Sequence, residues 1–285
     1  MIIAETIAQV RAQVKEWKEQ GLTVGLVPTM GYLHEGHASL VDKAVSMCDR
    51  VVASDFVNPT QFGPNEDLES YPRDFGRDCA LLEEHGCSMV FHPSVEEMYA
   101  PDAATFVEIL SDMPRQLCGK TRPIHFRGVC TVVTKLFNIV QPHRAFFGQK
   151  DAQQLAIIKK MVSDLNVPVE VVGRPIVREA DGLALSSRNV YLTPEERAQA
   201  PQIRKSLEMA AGLAAGGERD AARIIEAVRG YLAEHLPTGE EDYISIVDPA
   251  VLTRVDRIED MALCALAIRL GKARLIDNIL LKVGE

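Results

Sequence analysis

The sequence predicts a doubly wound α/β domain followed by a smaller α+β domain, and three observations carry that prediction. Over the first two thirds of the chain, short apolar runs alternate with amphipathic stretches, the pattern of a parallel sheet covered by helices. Beyond Val177 the alternation gives way to two alanine-rich helical stretches and then three strand-like runs. The chain has 285 residues, and a domain commonly holds roughly 100 to 200, so two domains are the natural division.

Taken in order, strands are expected at 23–28 (TVGLVP), 51–57 (VVASDFV), 88–92 (SMVFH), 144–147 (RAFF) and 169–173 (VEVVG). The intervals between them are long enough for crossover helices. Apolar residues recur at spacings of three and four over about 3–20, 37–49, 74–86, 128–140 and 150–164, where helices are expected. Residues 1–180 then form a Rossmann-like domain, in which ligands bind beyond the carboxyl ends of the strands. Residues 181–285 form the smaller domain, with helices at about 194–215 and 219–235 and strands near 242–248, 262–270 and 273–281. The run LAAGGER at 213–219 reads as the turn between its helices, since paired glycines end a helix readily.

Composition narrows the class. A hydrophobic share of 47% and a charged share of 25% are those of a globular protein. The formal net charge of −9 disfavours broad binding to nucleic acid or to an anionic membrane. No apolar run approaches the roughly 20 residues that span a bilayer, and the start MIIAE lacks the pattern of a signal peptide. A cytoplasmic protein is expected. Its six cysteines, at 48, 79, 87, 118, 130 and 264, lack metal-binding spacing and read as reduced, mostly buried thiols.

Chemistry is expected where strands end. The first of these strands runs into Met30-Gly31-Tyr32-Leu33-His34-Glu35-Gly36-His37, which opens a helix. Helix N-terminal N–H groups, a close-approach glycine and two imidazoles together suit a triphosphate; surface histidines in a βα loop are the competing reading. Gly148-Gln149-Lys150-Asp151 forms a second strand-to-helix corner, where the lysine can neutralise phosphate or simply sit exposed beside a helix cap. Leu185-Ser186-Ser187-Arg188-Asn189, near the domain boundary, offers two hydroxyls and a guanidinium as an anion clamp able to close over a nucleotide. Taken alone it reads first as an ordinary polar turn. Asn58 and Gln61, in a loop with aromatic neighbours, suit a small polar ligand. The basic stretch 120–127 (KTRPIHFR) is either a solvated face or a donor set for an anionic substrate.

Together PTMGYLHEGH, FVNPTQFGP, the run from Arg122 through HFRGVCTVVTKLFNIV to FFGQKDAQQL, and LALSSRN resemble the pantoate beta-alanine ligase family, within the wider HxGH nucleotidyltransferase superfamily. The resemblance spans nearly the whole chain and rests on several motifs in order. It implies a reaction in two steps. The carboxylate of (R)-pantoate attacks the α-phosphate of ATP and releases diphosphate, and beta-alanine then attacks the pantoyl adenylate to give pantothenate and AMP. Carried over by position, Met30 to His37, Gly148 to Asp151, Val177 and Leu185 to Arg188 bind ATP, with His37, His34, Lys150 and Arg188 as catalytic residues. Gln61 and Gln154 hold pantoate, Gln61 also serves beta-alanine, and Asp78 matches an acidic position near magnesium. Residues 181–285 are then the lid, and the protein is a homodimer. Adenylylation by a carboxylate transfers no obligatory proton, so His37 is expected to stabilise phosphate charge rather than to act as an acid.

Two positions depart from the family pattern: Asp55, where an apolar strand residue is usual, and Ile124, where a small residue is usual. An adenylyl transferase acting on a phosphate ester is the rival enzyme reading, but it leaves FVNPTQFG and GQKDAQQL without a purpose. A nucleotide-binding regulator without catalysis is the rival non-enzyme reading.

Overall fold

A computed structural model of the chain describes residues 1–64 and 66–284. Nine strands are present among these residues: β1 (Ile2–Ala4), β2 (Val24–Thr29), β3 (Arg50–Asp55), β4 (Met89–Phe91), β5 (Arg144–Gly148), β6 (Glu170–Arg174), β7 (Gly239–Val247), β8 (Met261–Leu270) and β9 (Ala273–Lys282). The helices are α1 (Ile7–Glu19), α2 (Glu35–Val45), α3 (Phe75–Glu84), α4 (Val95–Met98), α5 (Leu117–Thr121), α6 (His125–Val140), α7 (Ala152–Asp164), α8 (Pro194–Gln199), α9 (Gln202–Ala215) and α10 (Ala221–His235). They divide into two compact units. One comprises Met1–Leu110, Arg122–Gln149 and Ile157–Pro175; the other comprises Ser111–Thr121, Lys150–Ala156 and Ile176–Glu285. The single boundary expected at 180/181 differs from this division, because 111–121 and 150–156 group with the second unit.

The first unit is built on a sheet of order β1-β4-β3-β2-β5-β6 in which every pairing is parallel. Strand residues alternate between faces. Val27, Val51, Ala53, Val90 and Phe146 pack with Leu40, Val41, Ala44 and Leu82 of α2 and α3. The alternate residues Leu26, Val52 and Met89 are fully buried on the opposite side, where α1 and α6 pack on each other. From β2 the chain steps outward through β3 and β4, then returns to lay β5 on the other side of β2. The strand order therefore reverses between the carboxyl ends of β2 and β5, where a doubly wound sheet opens a binding crevice.

The five strands expected in this unit are all present, and β1 is an addition. Its three residues lie where a helix from residue 3 was expected. They pair with β4 at the sheet edge (Ile2↔Met89), and Thr6 sets the start of α1 by accepting from Gln9 N at 3.2 Å in a capping box.

In the second unit β7, β8 and β9 form an antiparallel sheet. Its core joins Ile203, Leu207 and Ala210 of α9 and Ile224 and Val228 of α10 with Ile246, Cys264, Leu266 and Ile268 of the strands. The helix expected over 194–215 is divided into α8 and α9 at Pro201, whose ring has no N–H to donate and crowds the preceding turn.

Candidate active site

The site in the first unit begins where β2 ends. Thr29 Oγ1 donates to Ser54 O at 2.7 Å and accepts from Gly31 N at 3.2 Å, which turns the chain out of the strand. Gly31 and Tyr32 take left-handed backbone angles (φ 80 and 51). A Cβ at Gly31 would stand 2.4 Å from Asp55 Oδ1, so the turn needs glycine for space as well as conformation. Asp78, reaching in from α3, accepts Tyr32 N and Leu33 N at 2.6 Å each.

His34 then caps α2. Its Nδ1 accepts from Gly36 N at 3.0 Å, and His37 Nδ1 accepts from His34 N at 3.3 Å, the two rings lying 4.2 Å apart. A ring nitrogen that accepts an N–H carries no proton, so both imidazoles hold theirs on Nε2. The capping bonds thus make each ring an Nε2–H donor beside the helix N-terminus, where negative charge is favoured.

Gln61 joins this loop directly. Its Nε2 donates to Met30 Sδ at 3.1 Å, while its Oε1 accepts from Asn58 Nδ2 at 3.0 Å. Asn58 is itself buried and accepts from Tyr99 Oη at 2.8 Å. Met30, Gln61 and the two histidines, read separately in the sequence, belong to one connected surface at the carboxyl end of β2.

Asp78, the residue expected beside a magnesium ion, accepts one backbone N–H at each carboxylate oxygen and so shapes the loop. Asp55 lies under the same turn: burial first, and the Asp78 charge second, push its carboxyl up to about 6. Its Oδ2 is buried, and no donor among the described residues reaches it. His92, stacked on Phe75 at 4.0 Å, places Nδ1 2.9 Å from Asp55 O. Ile124, the other departure, precedes α6 without a side-chain capping bond.

The basic stretch 120–127 does not form a free anion face. Arg122 forks onto Glu66 and Arg127 lies over the Phe106 ring at 4.8 Å. At the end of β5, Gly148 closes the strand and Gln149 begins a 3-10 turn.

In the second unit Lys150 lies with its Nζ 3.6 Å from Asp151 Oδ2, and its carbonyl accepts from Asn278 Nδ2 at 3.0 Å. Val177 and Leu185 are brought together, Leu185 N donating to Val177 O at 3.0 Å across a hairpin. Ser186 caps the next 3-10 turn, Ser187–Tyr191, by accepting from Arg188 N at 3.2 Å, and Ser187 is buried. This hairpin is firmly tied within its own unit. Arg178 forks onto Asp277 at 2.7 and 2.9 Å, and Arg197 bonds Glu179 and Asp181 at 2.5 and 2.6 Å. These bonds tie the loop to the rest of the second unit. Gln154 is half-buried, whereas its neighbour Gln153 is buried and braces 113–118 through Cys118 N, Met113 O and Gln116 O. All six cysteines are free thiols, and five are buried.

Sequence reasoning missed Glu66, Tyr99 and Gly128 as parts of this site; only Gly128, three residues after His125, carried a local signal.

Comparisons with known proteins identify the family. The family model for pantoate-beta-alanine ligase matches residues 2–280. A pantothenate synthetase from Thermotoga neapolitana is 58% identical over 99% of this chain and 100% of its own length. One from Nitratidesulfovibrio vulgaris is 60% identical over 94% of each. Among solved structures, the pantothenate synthetase of Thermus thermophilus superposes with a TM-score of 0.93 at 47% identity, covering 98% of this chain and 99% of that one. The pantoate-beta-alanine ligase of Francisella tularensis, complexed with beta-gamma ATP and beta-alanine, does so at 0.80 and 33% identity, with 98% and 97% covered. With the Met30–His37 loop and Gln61 joined at the carboxyl end of β2, the sheet order reversing there and the match running along the whole chain, this protein belongs to the pantoate-beta-alanine ligase family.

Proposed function

We propose that this enzyme joins (R)-pantoate to beta-alanine at the expense of ATP, through a pantoyl adenylate, and that the residues above divide the work. The observation that carries the reading is the pair of imidazoles fixed as Nε2–H donors at the N-terminus of α2, with Gln61 bonded to the same loop. In the first step a pantoate carboxylate oxygen bonds to the α-phosphorus and the bond to the bridging oxygen of diphosphate breaks. No proton needs to move. Negative charge grows on phosphate oxygens, and preset N–H donors stabilise it without reorganising. His34 and His37 fill that role, and Lys150, Ser186, Ser187 and Arg188 add charge and donors to the nucleotide. Gly148, Gln149, Asp151, Val177 and Leu185 complete the nucleotide's surroundings. Gln61 and Gln154 hold pantoate, and Gln61 also faces beta-alanine. In the second step the beta-alanine nitrogen bonds to the acyl carbon, AMP leaves with the electron pair, and the amine gives up its proton.

ATP and beta-alanine are named in the complex of the Francisella relative, which supports the substrate assignment. Magnesium bound with the nucleotide would supply charge neutralisation on the leaving diphosphate, with Asp78 as the candidate residue beside it. The cytoplasm is the proposed location; no helix among the described residues is long and apolar enough to cross a membrane. A homodimer is the proposed assembly, to be measured by light scattering, and a mass of one chain at every concentration overturns it. A coupled assay tests the chemistry: diphosphate release that requires pantoate, with AMP appearing on addition of beta-alanine, is expected. Diphosphate release without pantoate, or nucleotide binding without turnover, sinks the reading.

A further inference from the structure

Gln61 carries a feature that its role as a substrate ligand does not explain. Its main-chain carbonyl is held by two side chains, His125 Nδ1 from the start of α6 at 3.0 Å and Arg122 Nη2 from the segment just before it at 3.4 Å. Arg122 Nη1 also lies 3.2 Å from His125 Nε2. A guanidinium only donates, so His125 Nε2 accepts and the ring proton sits on Nδ1, directed at the Gln61 carbonyl. Glu66 completes the series: both its oxygens lie 3.0 Å from Arg122 Nε, and Oε2 also takes Arg122 Nη2. The ion pair is largely buried, with 17% and 22% of the side chains exposed.

The backbone is arranged to match. A Cβ at Gly128 would stand 2.4 Å from Thr60 O and 2.6 Å from Gln61 N and Cα, so only glycine lets α6 approach this turn. Gly128 O also accepts from Asn58 Nδ2 at 3.3 Å. The 3-10 turn Pro59–Gln61 is thus pressed onto α6, and its last residue is fixed at the carbonyl by Arg122 and His125 and at the side chain by Asn58 and Met30.

We propose that Glu66, Arg122 and His125 are positioning residues for the known reaction: they set the main chain of Gln61 so that its side-chain amide is aimed at pantoate. Arg122 is then a brace and not an anion receptor, since its donors are turned to Glu66, His125 and Gln61. The proposal rests on Gln61 being the pantoate ligand. It differs from a purely structural role in a measurable way, because a misdirected amide weakens one substrate and leaves the nucleotide alone.

The test uses the full enzyme with His125→Ala, His125→Asn, Glu66→Gln and Gln61→Ala, and measures KM for each substrate, kcat and thermal unfolding. An asparagine amide can replace Nδ1–H at the Gln61 carbonyl. His125→Ala and Glu66→Gln are expected to raise KM for pantoate by about tenfold, the order of one lost hydrogen bond, with KM for ATP within about twofold. His125→Asn is expected to recover most of that loss. The proposal is overturned if His125→Ala leaves KM for pantoate unchanged while Gln61→Ala raises it. A parallel rise in all KM values with a lower unfolding temperature, unrescued by His125→Asn, also overturns it. If Gln61→Ala itself leaves KM for pantoate unmoved, the pantoate assignment of Gln61 has failed, and the proposal falls with it for that separate reason.

Discussion

Asp55 shows how a residue out of keeping with its strand becomes part of the site. Its carboxyl has an ordinary value of 3.8 and is raised to about 6 in the folded chain by burial and by Asp78. The folded state therefore holds the proton more tightly than the unfolded state, and stability falls as pH rises from about 4 through 6. At 1.36 kcal/mol per unit the loss is on the order of 3 kcal/mol at most. Asp55→Asn removes the charge and keeps a donor for Asp78. Its unfolding temperature is expected to exceed that of the parent by more at pH 8 than at pH 5; an equal difference at both values refutes the raised carboxyl. The same reasoning applies to His37, whose Nδ1 is committed to the backbone. His37→Asn keeps a side-chain N–H and is expected to retain at least tenfold more single-turnover adenylate formation than His37→Ala, since one donor to a developing oxyanion is worth several kcal/mol. Equal rates in the two variants would remove the support for charge stabilisation.

At the scale of elements, close approach matters more than propensity. The helix α6 was legible from its periodicity, but its first turn, His125 to Val129, begins earlier than the apolar pattern and carries the contacts to the Gln61 turn. Gly128→Ala puts a methyl group against the backbone of Thr60 and Gln61. Overpacking of that kind costs about 1–3 kcal/mol. A drop in unfolding temperature together with weaker pantoate binding is expected, and an unchanged melting curve would show that the turn yields freely. Similarly, the sequence predicts α8 and α9 as one helix, because the alanine-rich periodicity runs on through the single break at Pro201.

At the scale of the whole molecule, the two units have separate cores, and each is expected to unfold at its own midpoint. Trp17, the single tryptophan, is buried in the first unit. Asp277 is buried in the second and paired with Arg178. Removing one partner of such a pair leaves the other uncompensated and costs about 3–5 kcal/mol. Asp277→Ala is expected to lower the urea midpoint followed by far-ultraviolet circular dichroism by about 1–2 M, while Trp17 fluorescence keeps its midpoint. Coincident shifts in both signals would refute separate unfolding. By itself the sequence determined the class of fold, the five crossover strands and the strand-to-helix loop that carries the two histidines, because those features are written in neighbours: alternation along a strand, periodicity along a helix, and a glycine between two histidines. Only the tertiary structure decided that Asp78 holds the backbone of that loop, that Asp55 lies beneath Gly31, and that His125 reaches Gln61. Those contacts join residues from about 25 to 65 positions apart, and no local pattern specifies which distant side chain will satisfy a buried backbone group. The loop that names the family was legible from the chain; the braces that aim it were set by packing.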